Sequence, residues 1–424
     1  MNPDAIVIGA GLSGLTSAVR LAEAGRKVIV LAKGSGALTL APATIDVLGY
    51  GSGGQVVDDP IRAALLKAAP HPYSRVAPST VEDALAWLPD AVARGPLSGY
   101  RYEGSGARNL LLPTALGAVK PSALAPASIA AGDVRGTPKV LVVGVDGMKD
   151  FHPALIADNL SAGAYAVSAR AATLPRPNGL ALEPGALNLA RFLDREANAQ
   201  ALAERLRELV RDDEAIAVPA MLGLKRPGQT WQILRDSLKR TIYEIPTLPP
   251  SVPGMRLLDV LKTLLRQAGG QFINNAVVTG CRVEDEAIAA ITVRISGHER
   301  TYSAPQYVIA TGGVASGAVA LGSDWVTREM ALGLEIDNAP RPGQRRFGDD
   351  YLGRHPIAQA GIGVDGALRP RLAGTVLANA RVVGASLGGA EPWREKSGDG
   401  ISLVTGYAAA TLALDAFDRK AVPA

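Results

Sequence analysis

Three glycines stand at the spacing GxGxxG near the start of the chain, Gly9, Gly11 and Gly14, between an apolar run and a helix-forming one. In that pattern Gly9 permits a tight turn, Gly11 lets backbone amides approach a pyrophosphate, and Gly14 lets the helix lie against the strand. Phosphate oxygens then meet free amides at the positive end of a helix. The elements needed to position them are a strand over 5–8, a helix over 12–24 closed by Gly25, and a second strand over 27–31, half of a Rossmann unit. An acid usually ends that second strand and accepts hydrogen bonds from the adenosine ribose. This chain has Ala32 followed by Lys33. Three readings stay open: a 2′-phosphorylated nucleotide met by Lys33, a ribose held by other groups, or a ligand without the adenosine half, such as FMN.

The motif is not alone. "QYVIATGG" ends a buried strand at Gly312 and Gly313, and "NARVVGASLGG" repeats strand plus glycine turn at Gly384, Ser386 and Gly388. "SGDGISLVTGYAAATLAL" opens a last helix at Gly398 and Gly400. A helix start aimed at a flavin pyrimidine edge stabilises the charge that gathers there on reduction. Glycine-terminated strands in this order predict a flavin-dependent oxidoreductase of α/β class, with a Rossmann-like two-dinucleotide-binding fold and an inserted second α/β domain. The flavin-binding domain is expected over 1–57 and 246–424, with a cap segment over 320–355, and the inserted domain over 58–245. Residues 34–57 read as a loop over the cofactor, anchored by Leu38, Leu40, Ile45, Val47 and Leu48. Further strands are expected over 139–143, 164–170 and 215–220, and a helix over 257–268. Pro246, Pro249, Pro250 and Pro253 predict an extended joint before that helix.

Composition agrees with a globular chain of two or three domains: 424 residues, 47% hydrophobic and 20% charged. The net charge of +4 is scattered, with no basic block interleaved with aromatics, which argues against nucleic acid. A single cysteine, Cys281, allows no internal disulfide and cannot hold an iron–sulfur cluster. The apolar start lacks a basic n-region, and no uninterrupted apolar run reaches about 18 residues, so neither a signal peptide nor a transmembrane segment is expected. The compartment this implies is the cytoplasm.

At a finer level the chain resembles the B-subunit family of anaerobic glycerol-3-phosphate dehydrogenase. The segments that carry the resemblance are "GSGALTLAPATIDVLG", "HPYSRV", "VVGVDGMKDF", "NLARFLD", "IPTLPPSVPGMRL" and "VVGASLGGAEP". The resemblance implies a flavoprotein binding FMN, with FAD the alternative. It also implies a catalytic A subunit and a membrane-anchored iron–sulfur C subunit. Together they oxidise sn-glycerol 3-phosphate to dihydroxyacetone phosphate and pass electrons to quinone, with fumarate or nitrate as terminal acceptor. A stand-alone FAD oxidoreductase and a structural subunit without tight flavin binding are the competing readings, and whether substrate is oxidised in this chain or in the A subunit stays open.

Hydride removal from a secondary alcohol needs a base for the hydroxyl proton and cations for the phosphate. Of four histidines, His71 beside Arg75 is the first candidate base and His355 in "GRHPIAQAG" the second; His152 and His298 read as surface. A structural cap beside Pro72 competes for His71. Arg75 and Arg256 are the candidate phosphate ligands, since a guanidinium offers two parallel hydrogen bonds. Ser386, Glu391 and Asp399 are the candidates for a ribityl contact.

Overall fold

The computed structural model describes residues 2–351 and 353–421. Its first layer is a five-stranded parallel sheet of Ala5–Ile8, Val28–Ala32, Gln271–Asn274, Gln306–Ile309 and Ala380–Val382. The spatial order is third, second, first, fourth, fifth, the Rossmann order. All four residues of the first strand are buried, as expected for a parallel sheet covered on both faces. Each fully buried Ile, Val or Leu contributes about 1.5–3 kcal/mol relative to exposure. The helix Leu12–Glu23 covers this sheet, and the last helix, Gly398–Ala421, packs against that helix. Their contact is close enough for the Ser17 hydroxyl to donate to the Gly406 carbonyl at 2.7 Å. By length and composition the last helix could cross a membrane, yet more than half of its apolar window is buried within the protein.

A second parallel sheet orders Ile242–Ile245, Ala215–Pro219, Lys139–Val145 and Ser168–Leu174 side by side, over its own apolar core. The strand expected over 164–170 begins four residues later. Ala166 takes a φ of 52°, which turns the chain, and pairing starts at Ser168 opposite Lys139.

The proline-rich joint also departs from expectation. The helix after it runs Val252–Gln267, so Pro253 lies inside it. Ser251 caps the helix by accepting the Gly254 amide at 3.2 Å. A proline in the first turn removes an N–H that has no partner there in any case. The remainder of the first layer includes a three-stranded antiparallel sheet, Ala276–Glu284, Ala287–Ile295 and His298–Tyr302. Cys281 lies half-buried in it, its thiol pushed up by burial.

Candidate flavin site

The glycine turn sits where the first and fourth strands of the Rossmann sheet part. That is the switch point, at which crevices open above strand carboxyl ends. Gly9 has φ +118°, and any Cβ there would overlap the Ala310 carbonyl. Gly14 is equally obligatory, because its Cβ would overlap the Gly9 carbonyl. Gly11 differs: a Cβ on it meets no atom within 4 Å. Its backbone has φ −75° and caps the first helix, a conformation that any residue adopts. The space in front of Gly11 is therefore open, and among the described residues the amides of Gly11, Leu12 and Ser13 donate to no acceptor. A phosphate fits there.

Beside the turn lies a cavity of about 160 Å³, lined by Gly9, Leu31, Lys33, Val278, Thr311 and Met330 among others. Lys33 is exposed at its rim. No carboxylate lines the cavity, in keeping with Ala32 and Lys33 at the end of the second strand. Its apolar walls at Leu31, Val278 and Met330 suit the flat face of a base. The residues present thus fit a phosphorylated nucleoside from turn to cavity.

The other glycines sit at protein contacts. Gly313 presses on the Ala385 carbonyl, Gly388 on the 359–361 backbone, and Gly384, at φ +68°, on Ser13. Ser386 is fully buried, and its hydroxyl accepts the Gly312 amide at 3.0 Å. It joins two strand ends and is not free to reach a ribityl chain. Gly400 is corrected too: its amide donates to the Asp46 carbonyl at 3.0 Å, and a Cβ on it would overlap Tyr73 Oη and Val47 Cα. Gly398 begins the same helix beside Pro392.

Asp46 is the residue that sequence reasoning missed. Its buried carboxylate accepts Ser122 Oγ at 2.6 Å, Lys120 Nζ at 2.7 Å and Thr44 Oγ1 at 3.0 Å. The segment around it is pinned by Tyr102 Oη on the Ala43 carbonyl and Tyr73 Oη on the Val47 carbonyl. One signal was available: Asp46 is the single charged residue between 34 and 57. Thr44 and Lys120 also line a cavity of about 200 Å³ between the two layers, with Pro42, Thr114, Ile129 and Thr247.

Asp399 stands at the start of the last helix, half-buried, with no hydrogen-bond partner among the described residues. Burial, and then the negative charge of Asp46, push its carboxyl up to about 7 against the opposing pull of Lys120 and Lys396. In the unfolded chain it ionises near pH ~4. Because the folded state holds this proton more tightly, the associated stability is complete below about pH 4. It is lost as the pH rises through about 7. Asp399→Asn is expected to flatten this decline in a series of melting curves from pH 4 to 8. Identical profiles for the two chains would contradict the assignment.

The candidate bases are occupied. His71 is buried; its Nδ1 accepts the Tyr73 amide at 3.2 Å, so Nε2 carries the proton donated to Glu395 at 3.1 Å. It is a cap, as the competing reading held, with no lone pair left for a substrate. Burial alone would raise Glu395, but hydrogen bonds from His71 and Lys67 outweigh it and hold the carboxyl at about 2. His355 is likewise spent on backbone, its Nδ1 accepting from Gly348 and Nε2 facing the Tyr351 carbonyl. Glu391 takes Arg354 and Gln359.

Arg256 is corrected outright. It is fully buried and makes a two-pronged pair with Glu244 at 2.7 and 2.9 Å, while its Nε donates to the Gly223 carbonyl. Nothing of it faces a ligand. Arg75 is half-exposed at the end of the short 3₁₀ turn Pro72–Arg75 and has no ion pair among the described residues. It alone of the two keeps a free guanidinium.

A Rossmann sheet with an open glycine turn and a nucleoside cavity defines a dinucleotide-binding flavoprotein, and the comparisons agree: the FAD binding domain family matches residues 4–401, and the chain belongs to it. Within that class the chain is a member of the B-subunit family of anaerobic glycerol-3-phosphate dehydrogenase. The relative so named in Yersinia pestis is 33% identical, over 96% of each chain. That of Pectobacterium carotovorum is 33% identical over 96% of this chain and 97% of its own. A Halobacterium salinarum protein, named as a probable B subunit of the same dehydrogenase, is 34% identical over 98% and 99%. Among solved structures, a flavocytochrome c3 fumarate reductase covers 98% of the chain, and is itself covered over 78%, with a TM-score of 0.43 and 11% identity.

Proposed function

We propose that this chain is the flavin-bearing B subunit of a quinone-linked glycerol-3-phosphate dehydrogenase complex, and that its cofactor is FAD rather than FMN. The observation that carries the cofactor choice is the cavity at Leu31, Lys33, Val278 and Met330 beyond the glycine turn. FMN would end its phosphate at the turn and leave that cavity unused. FAD would place its pyrophosphate on the Gly11–Ser13 amides and its adenosine in the cavity, with Lys33 at the rim in place of the usual ribose acid.

Bound there, the flavin would supply a hydride acceptor for the C2 carbon of sn-glycerol 3-phosphate. The chain's own part is positional. The segment 43–48, fixed by Tyr73, Tyr102 and Asp46, forms the floor between the layers, and the cavity at Thr44, Lys120 and Thr247 admits a small hydroxylated molecule. A and C subunits would complete the complex, with electrons passing to quinone and then to fumarate or nitrate. The chain itself would work on the cytoplasmic face of the membrane, held there by its partners.

A non-catalytic subunit is the second reading, favoured by one observation: the Gly400 amide is spent on Asp46 and unavailable to a flavin ring. Anaerobic addition of glycerol 3-phosphate to the purified complex separates the two. Bleaching near 450 nm that quinone reverses is expected, and a colourless or unresponsive chain would favour the second reading.

A further inference from the structure

Among the described residues, the four exposed aromatic side chains all lie in one region: Trp325, Phe347, Tyr351 and Trp393, at 56, 54, 89 and 42% exposure. They come from separate stretches of chain, yet they are physically joined. The His355 ring stacks on Trp393 at 6.0 Å and meets the edge of Phe347 at 5.8 Å. Its Nε2 holds the Tyr351 carbonyl at 2.9 Å. Arg346 lies over the Trp325 ring at 3.9 Å and donates to the Trp325 carbonyl. Arg394 lies over Trp393.

We infer that this face is the docking surface for another protein subunit of the complex. Three arguments carry it. The first is composition: Trp, Tyr, Phe, Met and Arg are the residue types enriched at the centres of protein interfaces and dominant among their hot spots. The second is area. At those exposures the four rings alone present on the order of 500 Å², well over half of the roughly 800 Å² that one partner contributes to a standard interface. The third is charge. Three arginines around it are ion-paired within the chain, Arg328 with Asp324, Arg345 with Asp349 and Arg354 with Glu391. An anionic lipid surface would need those charges free, whereas a polypeptide interface needs an apolar centre with a satisfied polar rim.

Trp393 belongs to the short helix Pro392–Glu395, whose Glu395 holds His71 and Lys67 and which leads directly into the last helix at Gly398. With one cysteine the chain cannot hold an iron–sulfur cluster, so passing electrons onward needs a partner subunit. On this view His355 shapes an interface and takes no proton from a substrate.

The inference rests on the proposed place of the chain in a multi-subunit complex, and separate readouts keep the two apart. Flavin content and glycerol 3-phosphate turnover test the redox reading; partner recovery tests the surface. The experiment is co-expression of the tagged chain with the A and C subunits, as wild type and as Phe347→Glu with Tyr351→Glu. We expect the wild type to recover its partners in stoichiometric amount and the double variant to recover at least 10-fold less, with flavin per chain unchanged. Should the double variant misfold, hydrogen exchange on the wild-type complex decides. Protection over 319–355 and 391–396 on assembly supports the inference. Full partner recovery by the variant, or protection confined to other segments, overturns it. So does a wild-type chain that dimerises through this face alone, or one that binds anionic vesicles and neither partner.

Discussion

Gly11→Leu is expected to strip the flavin from this chain while leaving it folded. The Gly11 backbone, at φ −75°, suits any residue, and its Cβ direction meets no protein atom. A leucine there costs the apoprotein little, within about 1 kcal/mol, as for an exposed substitution. The same side chain would occupy the space that a phosphate needs against the Gly11, Leu12 and Ser13 amides. Flavin per chain should fall at least 10-fold in the visible spectrum, with a melting temperature close to that of the wild-type apoprotein. Gly14→Leu is the contrast: its Cβ collides with the Gly9 carbonyl, so that variant should lose stability along with flavin. A Gly11→Leu chain as yellow as its parent would show that the phosphate does not sit at this turn.

Arg256→Met should be the most destabilising single change away from the glycine turn. Arg256 and Glu244 are both fully inaccessible, and the carboxylate also takes Ser128 Oγ at 2.7 Å and the Leu222 amide at 2.7 Å. Removing one member of such a pair leaves the other charge buried without its counter-ion, at a cost of about 3–5 kcal/mol. A fall in melting temperature of about 3–6 °C follows for a chain of this length. Glu244→Leu combined with Arg256→Met should lose less than the sum of the single changes, since no orphaned charge remains. If Arg256→Met melted normally and instead raised KM for glycerol 3-phosphate, the phosphate-ligand reading of Arg256 would be restored.

The contrast between these two sites explains what could be read from the chain. The glycine turn is a local device: a strand, three glycines and a helix within twenty residues, each with a steric job that its spacing reveals. The strands ending at Gly9, Gly312 and Gly384 share that property, and for this reason the fold class was legible. Arg256 was not. A matching segment and an anion-seeking side chain made it look like a ligand. Its partner Glu244 lies across the proline joint, however, and the geometry that buries both depends on how the second sheet meets the helix Val252–Gln267. Ser386 and His355 failed in the same way, and His71 is the cap that competed with the base reading: each is a polar residue whose partner is set by tertiary packing. Asp46 is the reverse case, a lone acid among small residues whose significance appears only when Lys120 and Ser122 from a distant hairpin close on it.

The nucleoside cavity is the feature with the greatest consequence, because it turns an open question about Ala32 and Lys33 into a testable choice. Heat or acid release of the cofactor from the purified chain, followed by mass spectrometry and absorbance against protein concentration, measures identity and occupancy together. The account predicts one FAD per chain. Recovery of FMN at full occupancy, or of no flavin from a well-folded chain, would contradict it.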